Sequence, residues 1–138
     1  MAYRMGILTI SVFAALALGA TAFAGGQGGS LDGTSWRLVA LGDSAVSDGV
    51  TTTLNIDEGA VGGEGGCNVY GGSLALTGQS GIAITEVFST MMACDDPAME
   101  QERAFFEALS AATRYVLEDG TLTLLDADDR ELATLSAQ

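Results

Sequence analysis

From Leu31 onward, apolar residues return in short runs that are separated by glycine and aspartate. This rhythm is typical of short strands joined by tight turns. The strands that it predicts are Ser35–Leu41, Thr51–Ile56, Ala60–Glu64, Ser73–Thr77, Ile82–Phe88, Tyr115–Glu118, Thr121–Leu125 and Leu132–Leu135. Most of this region is therefore expected to form an antiparallel sheet.

The clearest local signal is a hairpin over Arg114–Leu125. Asp119 and Gly120 fit a two-residue turn in which both central residues take positive φ, which glycine adopts freely and aspartate better than most residues. The register that this turn imposes pairs apolar side chains on one face: Leu117 with Leu122, and Tyr115 with Leu124. We expect that face to be buried.

One segment departs from the strand rhythm and has helical spacing. Asp95, Asp96 and Pro97 lead into Ala98–Ala112, where a broad apolar stripe predicts a helix. The stripe consists of Met99, Phe105, Phe106, Leu109 and Ala112. We expect Asp96 to be the N-cap and Pro97 to take the first helical position, where its missing N–H needs no partner. The phenylalanines are interpreted as core packing. The elements together predict a mainly β fold, a small antiparallel β-barrel-like meander of about eight strands with one covering α-helix.

Met1–Ala24 has the three-part layout of a cleavable secretory signal peptide. Arg4 precedes an apolar run over Met5–Ala20, and Ala22-Phe23-Ala24 supplies small residues at both cleavage positions. Cleavage is expected before Gly25. The protein is therefore predicted to be periplasmic or secreted.

An uncleaved membrane anchor is the alternative, because the apolar segment nearly reaches the length needed to span a bilayer. Gly19, its small neighbours and the missing basic flank favour cleavage instead. A lipid anchor would need a cysteine at the cut, and none is there. After cleavage we expect a flexible glycine-rich leader, Gly25–Ser30, followed by one domain over Leu31–Gln138 with no membrane attachment.

The charge balance excludes several kinds of partner and chemistry. The chain has a formal net charge of −13, with no lysine and no histidine. Binding of nucleic acid or anionic lipid depends on basic residues that neutralise phosphates, so neither is expected. Solubility is the plainest use of the charge, and a cationic ligand is a weaker alternative. Histidine-dependent nucleophilic sites, lysine Schiff bases and P-loops are excluded outright.

Two cysteines, Cys67 and Cys94, are present. In an exported domain they are expected to pair in a structural disulfide. No lysine or histidine is available to lower the pKa of either thiol, which argues against a reactive pair.

Three motifs then stand out, and in order and spacing they resemble the META domain, the family of HslJ-like heat-shock proteins. The family shows a G-T-x-W opening, a G-C-N turn and a T-x-M-A-C segment before a helix. The matching residues are Gly33, Thr34 and Trp36, then Gly66, Cys67 and Asn68, then Thr90, Met92, Ala93 and Cys94. The resemblance covers Leu31 to about Leu135.

The resemblance implies a small β-barrel-like meander with one helix, no established enzymatic activity and no cofactor. It also implies an envelope or secreted protein connected with stress tolerance, drug resistance, secretion or motility. This sequence departs from the family in two respects. It lacks the lipid-anchoring cysteine that many relatives have, and the commonly basic positions after Asn68 and Thr90 are Val69 and Met91.

Four other segments suggest chemistry that we weigh against simpler interpretations. Gly62–Gly66 lacks the spacing of a phosphate loop and is interpreted as a strand end with a tight turn. Glu64 and Glu86, both flanked by predicted strand residues, are the carboxylates that could form an enclosed hydrolytic pair. Asp126–Asp129 begins like a calcium loop but lacks its glycine and closing glutamate, so a polar hairpin loop is favoured. A last set could offer sulfur ligands to Cu(I): Met91, Met92, Cys94 and Met99. Methionines are more commonly core fillers, so no metal site is predicted.

The leading hypothesis is a non-enzymatic exported META-domain protein, a monomer, that supports envelope stress tolerance by binding another envelope component. Two alternatives remain open. The domain could be a carrier of a small ligand or metal, or a carboxylate-based hydrolase that uses Glu64 and Glu86. The identity of the bound component is not encoded in any motif of the sequence.

Overall fold

A computed structural model of the protein describes residues 30–138, and residues 1–29 lie outside the described part. The predicted signal peptide and most of the predicted leader are therefore not among the described residues. Nine strands and one helix follow in the order β1 (Thr34–Leu41), β2 (Ser44–Ala45), β3 (Thr53–Asp57), β4 (Ala60–Glu64), β5 (Val69–Thr77), β6 (Gly81–Ser89), α1 (Asp96–Ala111), β7 (Arg114–Glu118), β8 (Thr121–Leu125) and β9 (Glu131–Ala137).

The strands form one antiparallel sheet in which eight of them make a ring. Each strand from β3 onward pairs with the next strand in the chain, and β1 pairs with both β3 and β9 and so closes the ring. The short strand β2 is a side branch that pairs with β1. The weakest seam lies between β6 and β7, which are paired only through Gly81 and Arg114. The mainly β meander predicted from the sequence is confirmed.

The hairpin formed by β7 and β8 has the predicted turn and register. Asp119 and Gly120 have φ values of 50° and 74°. The apolar pairs are Leu117 with Leu122 and Tyr115 with Leu124. Leu122 and Leu124 are fully buried, as expected for the inward face.

The boundaries of the other elements differ from the predictions in instructive ways. β5 begins at Val69 rather than Ser73, because Gly71 and Gly72 continue the strand instead of breaking it. The two-residue strand β2 is too short to produce a pattern in the sequence, and it was not predicted. β3 begins later than predicted, at Thr53.

The prediction that Asp96 caps the helix is wrong by one residue. Asp95 has the extended backbone of an N-cap and makes no side-chain capping bond, whereas Asp96 is already helical. The first helical turn is closed by the Met99 N–H, which donates to the Asp95 carbonyl at 3.1 Å. Proline is tolerated inside the first turn as well as at its first position, so Pro97 does not fix the start of the helix.

The core lies between the inner face of the ring and one face of α1. Phe105 and Leu109 of the helix are fully buried against it. Tyr70 packs edge-on against Phe105, with ring centroids 5.7 Å apart. The predicted stripe is wrong for Met99, which is 39% exposed and points away from the core. Among the described residues, no helix is long and apolar enough to cross a membrane.

Candidate binding groove

The second and third sequence motifs meet at a disulfide. Cys67 follows the glycine turn after β4, Cys94 precedes α1, and the bond between them holds the two segments together with a Cα–Cα distance of 5.9 Å. That distance lies within the usual range for disulfides. Both cysteines of the sequence are used in this bond. The disulfide therefore fixes the segment before the helix to the turn before β5.

Asn68 makes a second connection between the same segments through its side chain. Its Nδ2 donates to Glu102 Oε1 at 2.7 Å and to the Met92 carbonyl at 3.3 Å. Its Oδ1 accepts from the Thr90 hydroxyl at 2.9 Å and from the Met92 N–H at 2.6 Å. The side chain is buried and uses both donors and both acceptor positions. An alanine could make none of these bonds, so the asparagine of the motif has a clear structural reason.

Glu102 joins α1 to the same cluster, and it is only 7% exposed. Its Oε2 accepts from the backbone N–H of Cys67 at 2.8 Å and from that of Asn68. With the Asn68 amide on Oε1, both carboxylate oxygens have partners. Buried polar groups are costly unless they are paired in this way. Glu102 therefore holds the G-C-N turn against the helix.

The glycines before Cys67 allow the helix to approach this turn closely. A Cβ on Gly65 would lie 2.8 Å from Glu102 Oε2 and 2.9 Å from Phe106 Cζ. Gly66 has a φ of 135°, which side-chain-bearing residues rarely adopt. The interpretation of this stretch as a strand end and tight turn, rather than a phosphate loop, agrees with the structure.

A neighbouring buried residue, Gln101, ties the helix to the loop between β2 and β3. Its Nε2 donates to Thr52 Oγ1 at 2.9 Å, and its Oε1 accepts from the Ser47 N–H at 2.8 Å. The Thr52 hydroxyl in turn donates to the Gly65 carbonyl at 2.8 Å. The two buried polar side chains of the helix, Gln101 and Glu102, are thus both used in fixing loops.

A groove opens beside this cluster, between the segment Ser89–Ala93 and the outer face of α1. Its volume is about 1110 Å³. The helical residues that line it recur along the whole helix: Asp96, Met99, Glu100, Glu102, Arg103, Phe106, Glu107, Ser110 and Ala111. Asn68 lies at the junction of the two walls. The groove is therefore held open by the same disulfide and hydrogen bonds that fix its walls.

Apolar side chains are unusually exposed around this groove. Met91 is 93% exposed and Met92 is 56% exposed, and Met99 faces them from the helix. Next to this segment, Phe88 is 70% exposed and lies across Gly71 of the neighbouring strand. The interpretation of these methionines as core fillers is therefore wrong. Their backbone is anchored, but their side chains remain in solvent.

The first motif lies at the start of β1 and lines no part of the groove. The Gly33 N–H donates to the Ile56 carbonyl at 2.8 Å. The Trp36 indole N–H donates to Thr34 Oγ1 at 2.8 Å, and the Thr34 hydroxyl donates to the Leu31 carbonyl. Trp36 itself is buried in the core. This motif has a structural role.

The carboxylates proposed from the sequence for an enclosed hydrolytic site are not enclosed. Glu64 and Glu86 are both exposed. Glu86 instead accepts a hydrogen bond from the Ser73 hydroxyl at 3.0 Å. Strand position alone did not reveal which carboxylates face outward. Glu102, the buried carboxylate among residues 30–138, was missed.

Asp126 organises the loop between β8 and β9, which the sequence analysis interpreted as a polar hairpin loop rather than a calcium site. It accepts from the backbone N–H groups of Asp128 at 2.8 Å and Arg130 at 3.0 Å. The hydrogen bond from the Arg130 N–H is the main reason that the pKa of the Asp126 carboxyl lies below its usual value. The hydrogen bond from the Asp128 N–H and the positive charge of Arg130 lower this pKa further. Within residues 30–138, no group of three or more histidine, cysteine or acidic side chains could hold a metal ion.

The ring of strands, the single helix and the disulfide-anchored turn define a small mainly β domain whose buried polar cluster serves to fix a surface groove. The chain belongs to the META domain family, whose model matches residues 29–138. This family is not a known enzyme family.

Solved structures of other proteins are similar to this chain. An NMR structure of a protein from Burkholderia xenovorans is 28% identical, with a TM-score of 0.66, and the match covers 78% of this chain and 83% of that one. A second NMR structure is 19% identical with a TM-score of 0.60, over 76% of this chain and 89% of that one, and this likeness concerns the fold alone. A search of curated proteins found no match.

Proposed function

We propose that this is an exported, non-enzymatic META-domain protein that supports envelope stress tolerance by binding another envelope component in the groove. The export signal and the family resemblance motivate the location and the stress role. The groove supplies the binding surface. The observation that carries the proposal is the exposure of Met91 and Met92 on a backbone that is itself firmly held.

The anchoring of this segment makes its exposed side chains meaningful. The Met92 N–H and carbonyl are both bonded to the Asn68 side chain, and Cys94 is covalently tied to Cys67. A large apolar side chain on a fixed backbone cannot relax into the core, and exposed apolar patches commonly mark interaction sites. Methionine side chains are unbranched and adaptable, which suits a contact surface.

The buried polar groups favour binding over catalysis. Both oxygens of Glu102 are occupied by donors from the G-C-N turn. The Tyr70 hydroxyl donates to the Thr53 carbonyl at 2.7 Å, and burial raises the pKa of this phenol well above its usual value. A general acid or base needs a pKa near the working pH and access to a substrate. The raised pKa of Tyr70 does not fit this role, and both Glu102 oxygens are already engaged by donors.

Export is expected to remove the signal segment completely. The protein recovered from cells should have Gly25 as its first residue, because Ala22-Phe23-Ala24 provides the cleavage site. Intact-mass analysis of the purified protein measures this directly. Recovery of the full-length chain in the membrane fraction would contradict the prediction.

Binding in the envelope is tested by a photocrosslinking amino acid placed at position 91 in the otherwise intact chain. Illumination of living cells should give a discrete adduct with one envelope component. The matched control carries the same amino acid at Val116, which is 38% exposed on β7 and lines no part of the groove.

The same sites also test the stress role. Cells that lack the gene should regain tolerance to envelope stress when they produce the wild-type protein or the Val116→Thr variant. They should not regain it when they produce the Met91→Gln/Met92→Gln variant. Equal adducts at both positions, or full tolerance with the double variant, would count against the proposed function.

A further inference from the structure

The groove is elongated and follows one complete face of α1. Its lining positions on the helix recur at intervals of three and four residues, from Asp96 to Ala111. The helix has 16 residues. At the rise of an α-helix this corresponds to a length of about 24 Å. An elongated ligand that lies parallel to α1 matches this shape better than a compact one.

Part of the backbone of the opposite wall is engaged in hydrogen bonds within the protein. The Thr90 N–H already donates to the Val69 carbonyl at 3.0 Å, and both polar backbone groups of Met92 are bonded to Asn68. An added strand depends on main-chain hydrogen bonds to its host. A helix satisfies its own backbone and needs only side-chain contacts, which the exposed Met91 and Met92 supply on this wall.

The groove combines exposed apolar side chains with a net negative charge. Met91, Met92 and Met99 supply exposed apolar surface on both walls. The exposed charges on the helical wall are three carboxylates and one guanidinium: Asp96, Glu100, Glu107 and Arg103.

None of these charged groups forms an ion pair within the described part of the protein. The ion pairs found in residues 30–138 involve only Arg114 and Arg130 with aspartates of the β8–β9 loop. The carboxylates of the groove are therefore available to a ligand of opposite charge. Complementary charge at the edge of a contact favours the right partner and speeds its association.

We infer that the groove binds a basic amphipathic helical segment of a protein partner, with its apolar face on the methionines and its basic side chains beside Glu100 and Glu107. This inference rests on the proposed function, because it names the chemistry of the component bound in the groove. Met-rich grooves accept such helices because thioether side chains adapt to different apolar anchors.

The test uses the protein as recovered from cells and three synthetic peptides of about 18 residues, long enough to span the groove as a helix. The first contains lysine and leucine in amphipathic helical order. The second has the same composition with leucines scattered around the helix, and the third replaces every lysine of the first with glutamate. Fluorescence anisotropy should show that the first peptide binds at least about tenfold more tightly than either of the others. Its circular dichroism should gain helical signal on binding.

Variants of the groove locate the binding and separate charge from apolar contact. Met91→Gln/Met92→Gln should weaken binding of the first peptide about tenfold, since it removes apolar surface at similar side-chain length. Glu100→Gln/Glu107→Gln should weaken it about fivefold and reduce its dependence on salt. The matched controls are Val116→Thr and Glu118→Gln/Glu131→Gln, exposed sites that do not line the groove. These controls should bind as the wild type does.

Several results would overturn the inference. They are equal binding of the scattered or acidic peptide, binding without gain of helix, and indifference to the groove variants. A specific envelope adduct at position 91 together with failure of the basic peptide would leave the proposed function standing and reject this class of ligand. Selective peptide binding with no adduct in cells would support the ligand class and count against the proposed function.

Discussion

Replacing Glu102 by glutamine is expected to lower the free energy of unfolding by about 2–4 kcal/mol, a large share of the stability of a small domain. Both carboxylate oxygens accept hydrogen bonds, from two backbone N–H groups on one oxygen and the Asn68 amide on the other. A glutamine has one oxygen and one NH₂ group. Whichever way its amide is turned, the NH₂ group faces a donor.

The matched control for this substitution is Glu100→Gln, which removes a carboxylate from the same helix at an exposed position. Its effect should lie within about 0.5 kcal/mol of zero, as for most surface substitutions. Urea unfolding followed by the fluorescence of Trp36 measures both variants, since this is the one tryptophan in the sequence. Equal stability of the two variants would show that the contacts of Glu102 contribute little to folding.

Loss of the Cys67–Cys94 disulfide is expected to cost about 3.5 kcal/mol, because the bond closes a loop with a sequence separation of 27 residues. The cost arises mainly in the unfolded chain, which gains conformational freedom when the cross-link is removed. Thermal melts with and without reductant should show a clear loss of stability on reduction. Thiol counting on the oxidised, denatured protein should find no free thiols.

A Cys67→Ser/Cys94→Ser variant provides the control for the reductant itself. Its melting temperature should be low and should not change when reductant is added. Two free thiols in freshly isolated native protein would refute the disulfide. Unchanged melting of the wild type on reduction would show that the hydrogen bonds of Asn68 hold the two segments without covalent help.

The strands were predictable because local pattern and turn chemistry agree. The β7–β8 hairpin is the best example, since Asp119 and Gly120 specify the turn and the turn specifies the register. Glycine-rich stretches were less predictable. Gly71 and Gly72 suggest a break by composition, yet they lie inside β5, where Phe88 packs across Gly71. This contact between neighbouring strands leaves no trace in the local sequence.

The buried face of the helix could have been predicted from the sequence if the spacing of the residues had been given more weight than the size of their side chains. The buried residues recur at intervals of three and four: Ala98, Gln101, Glu102, Phe105, Ala108, Leu109 and Ala112. The search for large apolar residues instead selected Met99, which lies on the other face. A glutamate and a glutamine on an otherwise apolar face indicate buried polar partners, because such residues are rarely buried unless they are paired.

The groove itself could not be predicted from the sequence. It depends on where the segment after β6 lies relative to the helix, and that placement is set by hydrogen bonds from Asn68, a residue some 22 to 24 positions earlier in the chain. Local periodicity carries no information about contacts of this range. The exposure of Met91 and Met92 follows from the same placement. Because that placement is not visible in the local sequence, the two methionines were interpreted as core residues.

The pairing of β1 with β9 has a consequence for the time at which the domain can fold. The first strand of the ring has one neighbour, β3, close by in the chain, while its other neighbour comes from the far end of the described region. Contacts between residues so distant in sequence slow folding, because a long loop must close before they form. A chain that is threaded through a narrow pore with its N-terminus first therefore cannot complete the ring until β9 has emerged. Until that moment the edge of β1 that pairs with β9 has no neighbouring strand, and the sheet stays open at that point.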